Sequence, residues 1–182
     1  MSMVASLLHK FAGGLRYRLI SIGGRPYLER HFLFKRFGVT GYLHHFVSGD
    51  DEREVHDHPW RWSFSVILTG GYIEERLDWF DLDRCGWAAH VRRMFPLRVN
   101  FIGARTFHRI VEPKPGTWTL FVHGPRMKGW GFLDFIANGH EKPIVVYHQP
   151  GLPETNRRWY QDAPLARVAR AAAFSAEEET HG

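Results

Sequence analysis

The chain has 182 residues, of which 44% are hydrophobic and 15% aromatic, so it is not a disordered chain and fits one globular domain. Its net charge is +5, but no zinc-finger, helix-turn-helix or RNP signature accompanies that charge, and we expect no nucleic-acid partner. A lone cysteine, Cys85, excludes an internal disulfide, and the chain shows neither a membrane-spanning apolar run nor a secretory signal. We therefore expect a cytoplasmic protein.

Most of the positive charge lies near the N-terminus. Residues 1–40 carry a net charge of +6, with Glu29 as their single acid. Such a segment can meet phosphate, nucleic acid or an anionic membrane surface. It can equally be a solvated face that pairs with acids elsewhere, and we favour this second interpretation.

A helical pattern opens the chain. Apolar residues recur at helical spacing over the first eleven positions, at Val4, Leu7, Leu8 and Phe11. This pattern predicts a short amphipathic helix that ends near Gly13. Its apolar face can pack on a sheet, on a partner chain or on a membrane, and packing within the protein is the alternative we favour.

From residue 27 onward the texture changes to short aromatic and β-branched runs separated by turn residues. We predict strands at 27–35, 40–47, 54–58, 63–68, 72–77, 88–93, 98–102, 107–111, 118–123 and 130–135. About ten short strands at regular spacing, without βαβ alternation or a repeat, favour an all-β sandwich or barrel.

The C-terminal part differs again. Residues 150–164 are polar and irregular, and Asp162 can cap a helix that starts at Pro164 and runs to about Ser175. The last six residues read as a frayed tail. The predicted organisation is an N-terminal helical and basic extension (1–26), a barrel (27–148) and a C-terminal extension (149–182).

The chain has twelve histidines, and the spacing of two of them is informative. His56 and His58 are two residues apart, so on a strand they share one face and can hold one divalent ion. A third ligand must then come from another strand. His108 is the best candidate, because it follows a Gly-containing turn and begins a new apolar run.

These residues resemble the cupin superfamily. Its first motif is a Gly, an H-x-H pair, a Glu and a second Gly, and its second motif is a turn followed by a His. The residues of this chain at the first-motif positions are Gly49, His56, His58, Ser63 and Gly70. The second motif corresponds to 103–108, and the resemblance covers about 27–135. It implies a cupin-type double-stranded β-helix, that is, a jelly-roll barrel.

A narrower resemblance is to a group of uncharacterised bacterial and phage cupins with an HDHPW motif. The strings that carry it are HDHPW at 56–60, LTGGYIEE at 68–75, FHR at 107–109, WTLF at 118–121, GPR at 124–126 and WGF at 130–132. This likeness implies a fold and a site, but it brings no established reaction with it.

The chain departs from the superfamily at Ser63, which stands where cupins place a glutamate ligand. The implied metal ligands are therefore three neutral imidazoles, as in the thiol dioxygenases of this superfamily. That resemblance implies Fe(II), with Zn, Mn, Ni or Cu as alternatives. Neutral ligands leave the ion at +2, which favours an anionic chelating substrate. Glu74 or His45 can supply a fourth ligand. Alternatively, the histidines only form hydrogen bonds in the barrel mouth.

We expect the mouth of such a barrel to bind a small-molecule substrate between apolar walls and a few polar groups. The candidate pocket residues are Ser63, Trp60, Tyr72, Glu74, Trp118 and Arg109. The aromatic candidates can also be ordinary core residues. Strand alternation points Arg109 and Asp57 away from the metal, the latter as an orienting group, and Arg126 lies in a turn where solvation is its simpler role.

Three functions remain open at this stage. The first is a mononuclear non-haem iron oxygenase that acts on a small chelating acid. The second is a metal-dependent isomerase or hydrolase, and the third is a binding or assembly module without enzymatic activity. Because exposed strand edges must be covered, we expect a homodimer that uses the N-terminal helix or the 27–35 strand.

Overall fold

A computed structural model describes residues 2–22, 24–48, 55–81, 86–134, 144–148 and 158–180. Within these ranges the chain forms helices α1 (Met3–Ala12) and α2 (Ala166–Thr180) and strands β1 (Tyr17–Ile22), β2 (Arg25–Arg36), β3 (Val39–Phe46), β4 (Trp62–Thr69), β5 (Tyr72–Asp81), β6 (Gly86–Met94), β7 (Val99–Gly103), β8 (His108–Val111), β9 (Trp118–His123), β10 (Trp130–Asp134) and β11 (Ile144–His148). A short 3-10 turn covers Trp159–Gln161. The predicted all-β class, with a helix near each end of the chain, is confirmed.

Two antiparallel layers build the molecule. The larger sheet has the order β1-β2-β3-β9-β4-β7, and the smaller layer consists of β6-β5-β8 and the β10-β11 pair. An isolated bridge residue, His56, pairs with both His108 and Phe132 and so joins the two parts of the smaller layer. Side chains of both layers line a common cavity, which is the jelly-roll arrangement that the sequence predicts.

The centre of β2 and most of β3 are buried on both faces, because the smaller layer covers one face and the helices cover the other. Leu28 and Arg30 of β2 line the central cavity. The intervening Glu29 and the following His31 face outward and are nevertheless buried. This alternation divides the polar residues of one strand between two separate environments.

Helix α1 begins as predicted but buries a different face. The Ser2 hydroxyl accepts a hydrogen bond from the Ala5 amide at 3.2 Å and caps the helix. Ala5 and Ala12 pack in a core cluster with Leu43 and Trp118. The apolar residues Val4, Leu7 and Phe11, for which packing was expected, are exposed, while Leu8 is partly buried against this cluster.

Helix α2 begins at Ala166, two residues after the predicted start, and extends to Thr180. Asp162 ends the 3-10 turn and does not cap the helix. The first amides of α2 bond to the loop after α1 instead, from Ala166 to the Leu15 carbonyl at 3.0 Å and from Arg167 to the Gly13 carbonyl at 3.1 Å. This tertiary cap is invisible to a local sequence pattern.

Three strand predictions need correction. The predicted strand at 54–58 is no strand over its described residues, which form only the bridge at His56. Strands β1 and β11 were not predicted, and β1 lies inside the region assigned to the N-terminal extension. Strand β2 is paired on both sides, by β1 and β3, so it offers no free edge to a partner chain.

Some expectations fall outside the described residues, namely those on Gly49, Cys85 and most of the irregular segment 150–164. Among the described helices, none has the length and apolar character needed to cross a bilayer.

Candidate metal centre

The H-x-H segment is held in place by its backbone. The His56 amide donates to the His108 carbonyl at 3.0 Å, and the His108 amide donates back to the His56 carbonyl at 2.9 Å. The next amide, that of Asp57, donates to the Gly131 carbonyl at 2.9 Å. These bonds bring the two sequence motifs side by side and face His56 and His58 toward His108.

Asp57 points away from the three histidines, as alternation predicted. Its buried carboxylate accepts the Gly131 amide at 2.9 Å and contacts the Lys128 ammonium group. Burial raises the pKa of Asp57, while Lys128 and Gly131 act in the opposite direction. A Cβ at Gly131 would lie about 3.0 Å from the carboxylate, so glycine permits this close approach. Asp57 therefore fastens the start of β10 to the H-x-H segment.

The three histidines are buried and converge. His56, His58 and His108 are 1%, 6% and 2% exposed, and one ring nitrogen of each lies within 4.8 Å of the others. The Nε2 atoms of His58 and His108 are 3.0 Å apart. Two nitrogens that each lie about 2.1 Å from one ion are separated by roughly 3.0–3.4 Å, so this spacing suits a shared metal ion.

Ser63 orients His58. Its hydroxyl lies 2.9 Å from His58 Nδ1 and 3.3 Å from the Ile102 carbonyl. A carbonyl only accepts, so the hydroxyl donates to Ile102 and accepts from Nδ1–H. That assignment leaves His58 Nε2 with its lone pair directed at the centre. Ser63 thus orients a candidate metal ligand by contacting its outer nitrogen.

Glu74 occupies the equivalent place behind His108. Its Oε1 lies 2.8 Å from His108 Nδ1, accepts Asn100 Nδ2 at 2.9 Å and lies 3.3 Å from Arg76, while its Oε2 lies 3.4 Å from Arg92. Burial alone would raise the pKa of this fully buried acid, but the contacts with His108 and Asn100 outweigh burial and lower it to about 2. The ionised carboxylate favours the tautomer of His108 that has its proton on Nδ1 and the lone pair on Nε2, the atom that can bind an ion.

The group therefore fits a divalent first-row metal ion. It offers three imidazole nitrogens, and two of the rings have their outer nitrogens engaged by Ser63 and Glu74. His45, the other suggested ligand, lies on the outer face of β3, where its Nδ1 is 2.7 Å from Glu29. Glu74 faces the outer nitrogen of His108 and not the converging ones.

A cavity that is open to solvent lies beside the histidines. Its lining consists of Leu28, Arg30, His44, Phe46, His56, His58, Trp60, Ser65, Tyr72, Ile102, His108, Ile110, Thr119, Phe121 and Trp130. The walls are mostly apolar and aromatic, with the histidine triad on one side.

The predicted pocket residues separate into three groups. Trp60 and Tyr72 line the cavity. Burial raises the pKa of Tyr72 to about 12, so its hydroxyl is neutral and can donate to a ligand. Ser63 and Glu74 lie behind the ligands, as described above.

The remaining two candidates lie elsewhere. Trp118 is fully buried on the outer face of the large sheet, where His45 stacks on it at 4.4 Å. Arg109 forms an ion pair with Glu75 at 2.6 Å, and both side chains are partly exposed. Arg126 is exposed and donates to the Lys128 carbonyl at 2.9 Å.

Sequence reasoning missed several cavity residues, among them Arg30, His44, Phe121 and Trp130. The sequence signal that could have found them is the alternation of side chains between the two faces of a strand. Thr119 and Phe121 share one face of β9, and Trp118 belongs to the other. Choosing between the two faces requires knowing how β9 pairs with β3, which is a long-range property.

No protein-family model and no curated protein matches the chain. Solved structures similar in fold include KdgF from Halomonas sp., at 15% identity over 61% of this chain and 88% of that chain, with a TM-score of 0.45. A cupin superfamily protein from Desulfitobacterium hafniense is 17% identical over 54% of this chain and 77% of that chain, with a TM-score of 0.39.

A third structure is Streptomyces albus HEPD with its substrate 2-hydroxyethylphosphonate and Fe(II) bound. It is 10% identical over 60% of this chain, which spans 24% of that chain, with a TM-score of 0.46. All of these likenesses are distant, so the function of this chain is inferred from its own residues.

Proposed function

We propose that this protein is a mononuclear non-haem iron enzyme of the cupin superfamily, in the group with the HDHPW motif, which oxidises a small chelating acid with dioxygen. The observation that carries the proposal is the convergence of three buried imidazoles beside an aromatic cavity. His56, His58 and His108 would hold the ion. When bound, Fe(II) would supply a Lewis acid and a site for redox chemistry.

The charge of the ligand set supports an acidic substrate. Three neutral imidazoles leave the full charge of a divalent ion uncompensated, so an anionic chelating ligand binds favourably there. Ser63 adds no charge, whereas a carboxylate at its position would. Glu74 lies behind His108 and is flanked by Arg76 and Arg92, which offset its charge.

The chain's own residues would bind and orient the substrate and exclude water from the site. Trp60 and Trp130 stand beside the histidines, with ring centroids 5.4 and 5.3 Å from that of His58. They cover the ligands with apolar surface and limit the access of water. The neutral hydroxyl of Tyr72, held near Ser65 at 3.3 Å, can orient a polar group of the substrate.

Metal analysis tests the first part of this proposal. We expect protein expressed with iron, manganese, nickel, copper and zinc supplied to contain about one divalent ion per chain. His56→Ala and His108→Ala should lose the ion. His90→Ala, which removes an exposed histidine of β6, should keep it. An ion-free wild-type protein would contradict the proposal.

Oxygen uptake tests the second part. The iron-loaded protein, incubated with a panel of small hydroxy, keto and thiol acids, should consume dioxygen with at least one of them, and His108→Ala should not. Turnover without oxygen uptake would identify an isomerase or hydrolase instead. Retention of the biological role by a double His56→Ala, His108→Ala variant would identify a binding or assembly module.

We also propose that the protein is a cytoplasmic homodimer. Support comes from β7, an edge strand of the large sheet. Its outer face, with the turn before it, forms an apolar stripe in which Leu97, Val99 and Phe101 are 84%, 55% and 59% exposed. A stripe of this kind can pack against the same stripe of a second copy across a two-fold axis.

A further inference from the structure

The cavity beside the histidine triad has an uneven charge. Among its lining residues, Arg30 is the one with a permanent charge, and none of them is a carboxylate. Arg30 comes from β2 in the large sheet, whereas the triad belongs to the smaller layer. A ligand between the layers can therefore meet the metal site from one side and a fixed cation from the other.

His44 holds the guanidinium of Arg30 in position. The two residues are cross-strand partners, and Arg30 Nε donates to His44 Nε2 at 3.0 Å. The His44 ring is stacked between Phe121, with centroids 5.1 Å apart, and Tyr42, with centroids 6.0 Å apart. Arg30 also lies over the Tyr42 ring at 5.2 Å. The aromatic neighbours thus fix an arginine that would otherwise be flexible.

We propose that Arg30, positioned by His44, binds an anionic oxygen group of the substrate, a carboxylate or a phosphate-type group, whose other end binds at the histidine triad. This inference rests on the proposed function and deepens it, since it makes the substrate a bifunctional anion. In a partly buried aromatic cavity whose described lining residues include no acid, a guanidinium can bind an oxyanion through charge-assisted, bidentate hydrogen bonds.

The two arginines suggested by the sequence are engaged elsewhere. Arg109 pairs with Glu75, and Arg126 bonds to the Lys128 carbonyl on the exposed loop. Neither belongs to the cavity lining. Arg30 therefore takes the substrate-anchoring role that the sequence suggested for Arg109 and Arg126.

Calorimetry with simple anions tests the inference. The probes are glutarate with two carboxylates, 3-phosphonopropionate with one carboxylate and one phosphonate, and butyrate as the matched monoanion. We expect the metal-loaded wild-type protein to bind at least one dianion about tenfold or more tightly than butyrate. The dianion that binds more tightly identifies the anionic group, carboxylate or phosphonate, that Arg30 prefers.

Arg30→Gln should reduce the preference for the dianion to nearly nothing, and Arg30→Lys should keep part of it because the charge remains without the planar fork. Arg36→Gln is the matched control, since Arg36 is an exposed arginine of the same strand, and it should behave as the wild type. Metal content should be the same in all four proteins. Circular dichroism verifies folding, and Arg30→Lys decides the matter if Arg30→Gln does not fold.

The same titrations on metal-free protein separate this inference from the proposed function. If no ion binds but dianions still bind in a manner that depends on Arg30, the iron proposal fails and the Arg30 site stands. If the ion binds but the wild type shows no preference for dianions, or Arg30→Gln keeps that preference, the Arg30 inference is overturned.

Discussion

A single hydroxyl decides the charge of the candidate metal centre. Ser63 lies where the resemblance to cupins leads one to expect a glutamate, and it bonds to the outer nitrogen of His58. A hydroxyl is a poor metal ligand, but it is a good acceptor for an imidazole N–H. At this position a neutral hydroxyl that contacts His58 stands where the resemblance predicts a charged ligand.

Replacing Ser63 by alanine tests this positioning role. The substitution leaves His58 Nδ1 without the hydroxyl at 2.9 Å, so the ring can rotate or change tautomer. We expect metal affinity to fall about 10- to 100-fold, as is typical when a partner behind a ligand is lost. A chelator-competition titration with Fe(II) or Zn(II) measures the change.

Ser65→Ala is the matched control for this experiment. Ser65 is a buried serine of the same strand whose hydroxyl lies 3.3 Å from the Tyr72 hydroxyl and contacts no proposed ligand. Both variants should cost about 1 kcal/mol of stability, but only Ser63→Ala should weaken metal binding. Equal metal affinities in the two variants would contradict the role assigned to Ser63.

At this scale the sequence predicted the converging histidines better than the other cavity residues. His56 and His58 follow from a local spacing, and His108 from a motif that a resemblance supplies. No local motif identifies Arg30 and His44, because the face of the sheet on which they lie depends on the pairing of β2 with β3. Side chains also alternate between the two faces along β9, so Trp118 lies on the outer face while its neighbour Thr119 lines the cavity.

Strands β2 and β3 show how one element serves two environments. On the inner face Arg30 and His44 belong to the cavity. On the outer face Glu29 accepts from His45 Nδ1 at 2.7 Å and from Arg170 Nη2 of α2 at 2.8 Å. This buried acid links the sheet to the C-terminal helix. The basic N-terminal segment is thus partly internal, which composition alone did not indicate.

The Glu29 network predicts sensitivity of the fold to acid. Burial alone would raise the pKa of Glu29, but His31, His45 and Arg170 outweigh it and hold the pKa well below its usual range. The unfolded chain thus binds the proton more readily than the folded one. The stabilisation is complete above the unfolded pKa of about 4.3 and is lost as the pH falls toward the folded pKa.

Urea unfolding between neutral pH and about pH 3 measures this effect. Glu29→Gln should lower the free energy of unfolding by about 1–3 kcal/mol at neutral pH and should flatten its decline below about pH 4.3. Glu75→Gln, which removes a partly exposed ion pair with Arg109, should cost at most about 1 kcal/mol at neutral pH. An unchanged profile for Glu29→Gln would refute the assignment.

Elements were predictable where local signals bounded them. Strand β9 has its predicted limits because turn residues flank an apolar run. The end of β4 needs glycine, since Gly70 has a φ of 70° and Gly71 approaches the Met94 backbone closely. By contrast, β1 is an edge strand with a basic residue, Arg18, and the 56–58 segment pairs only through bridges at His56. Those two outcomes depend on tertiary pairing.

For the whole molecule, the two layers divide the work. The smaller layer contributes the three histidines and their backbone bonds, and the large sheet contributes Arg30, His44 and the aromatic wall. The two helices cover the outer face of the large sheet, where Trp118 and Glu29 are buried. One edge of that sheet, β1, is covered at its start, where the Tyr17 amide donates to the Pro164 carbonyl at 3.0 Å.

The opposite edge predicts how two copies associate. Within the described residues β7 pairs only with β4, and the stripe formed by Leu97, Val99 and Phe101 is exposed. In a two-fold dimer each residue of the stripe occurs twice, so a charge at Phe101 places two like charges in one apolar contact. Phe101→Lys should therefore weaken dimerisation at least about tenfold, as measured by sedimentation velocity over a range of concentrations.

Phe37→Lys is the control, because Phe37 is 88% exposed in the turn between β2 and β3 and lies outside the stripe. It should leave the dimer intact. Phe11→Lys probes the rival interface, the exposed apolar face of α1. A dimer that survives Phe101→Lys but not Phe11→Lys would place the contact on α1, and a wild-type monomer at every concentration would exclude both. Both substitutions should leave the lining of the cavity intact, because neither Phe101 nor Phe11 belongs to it.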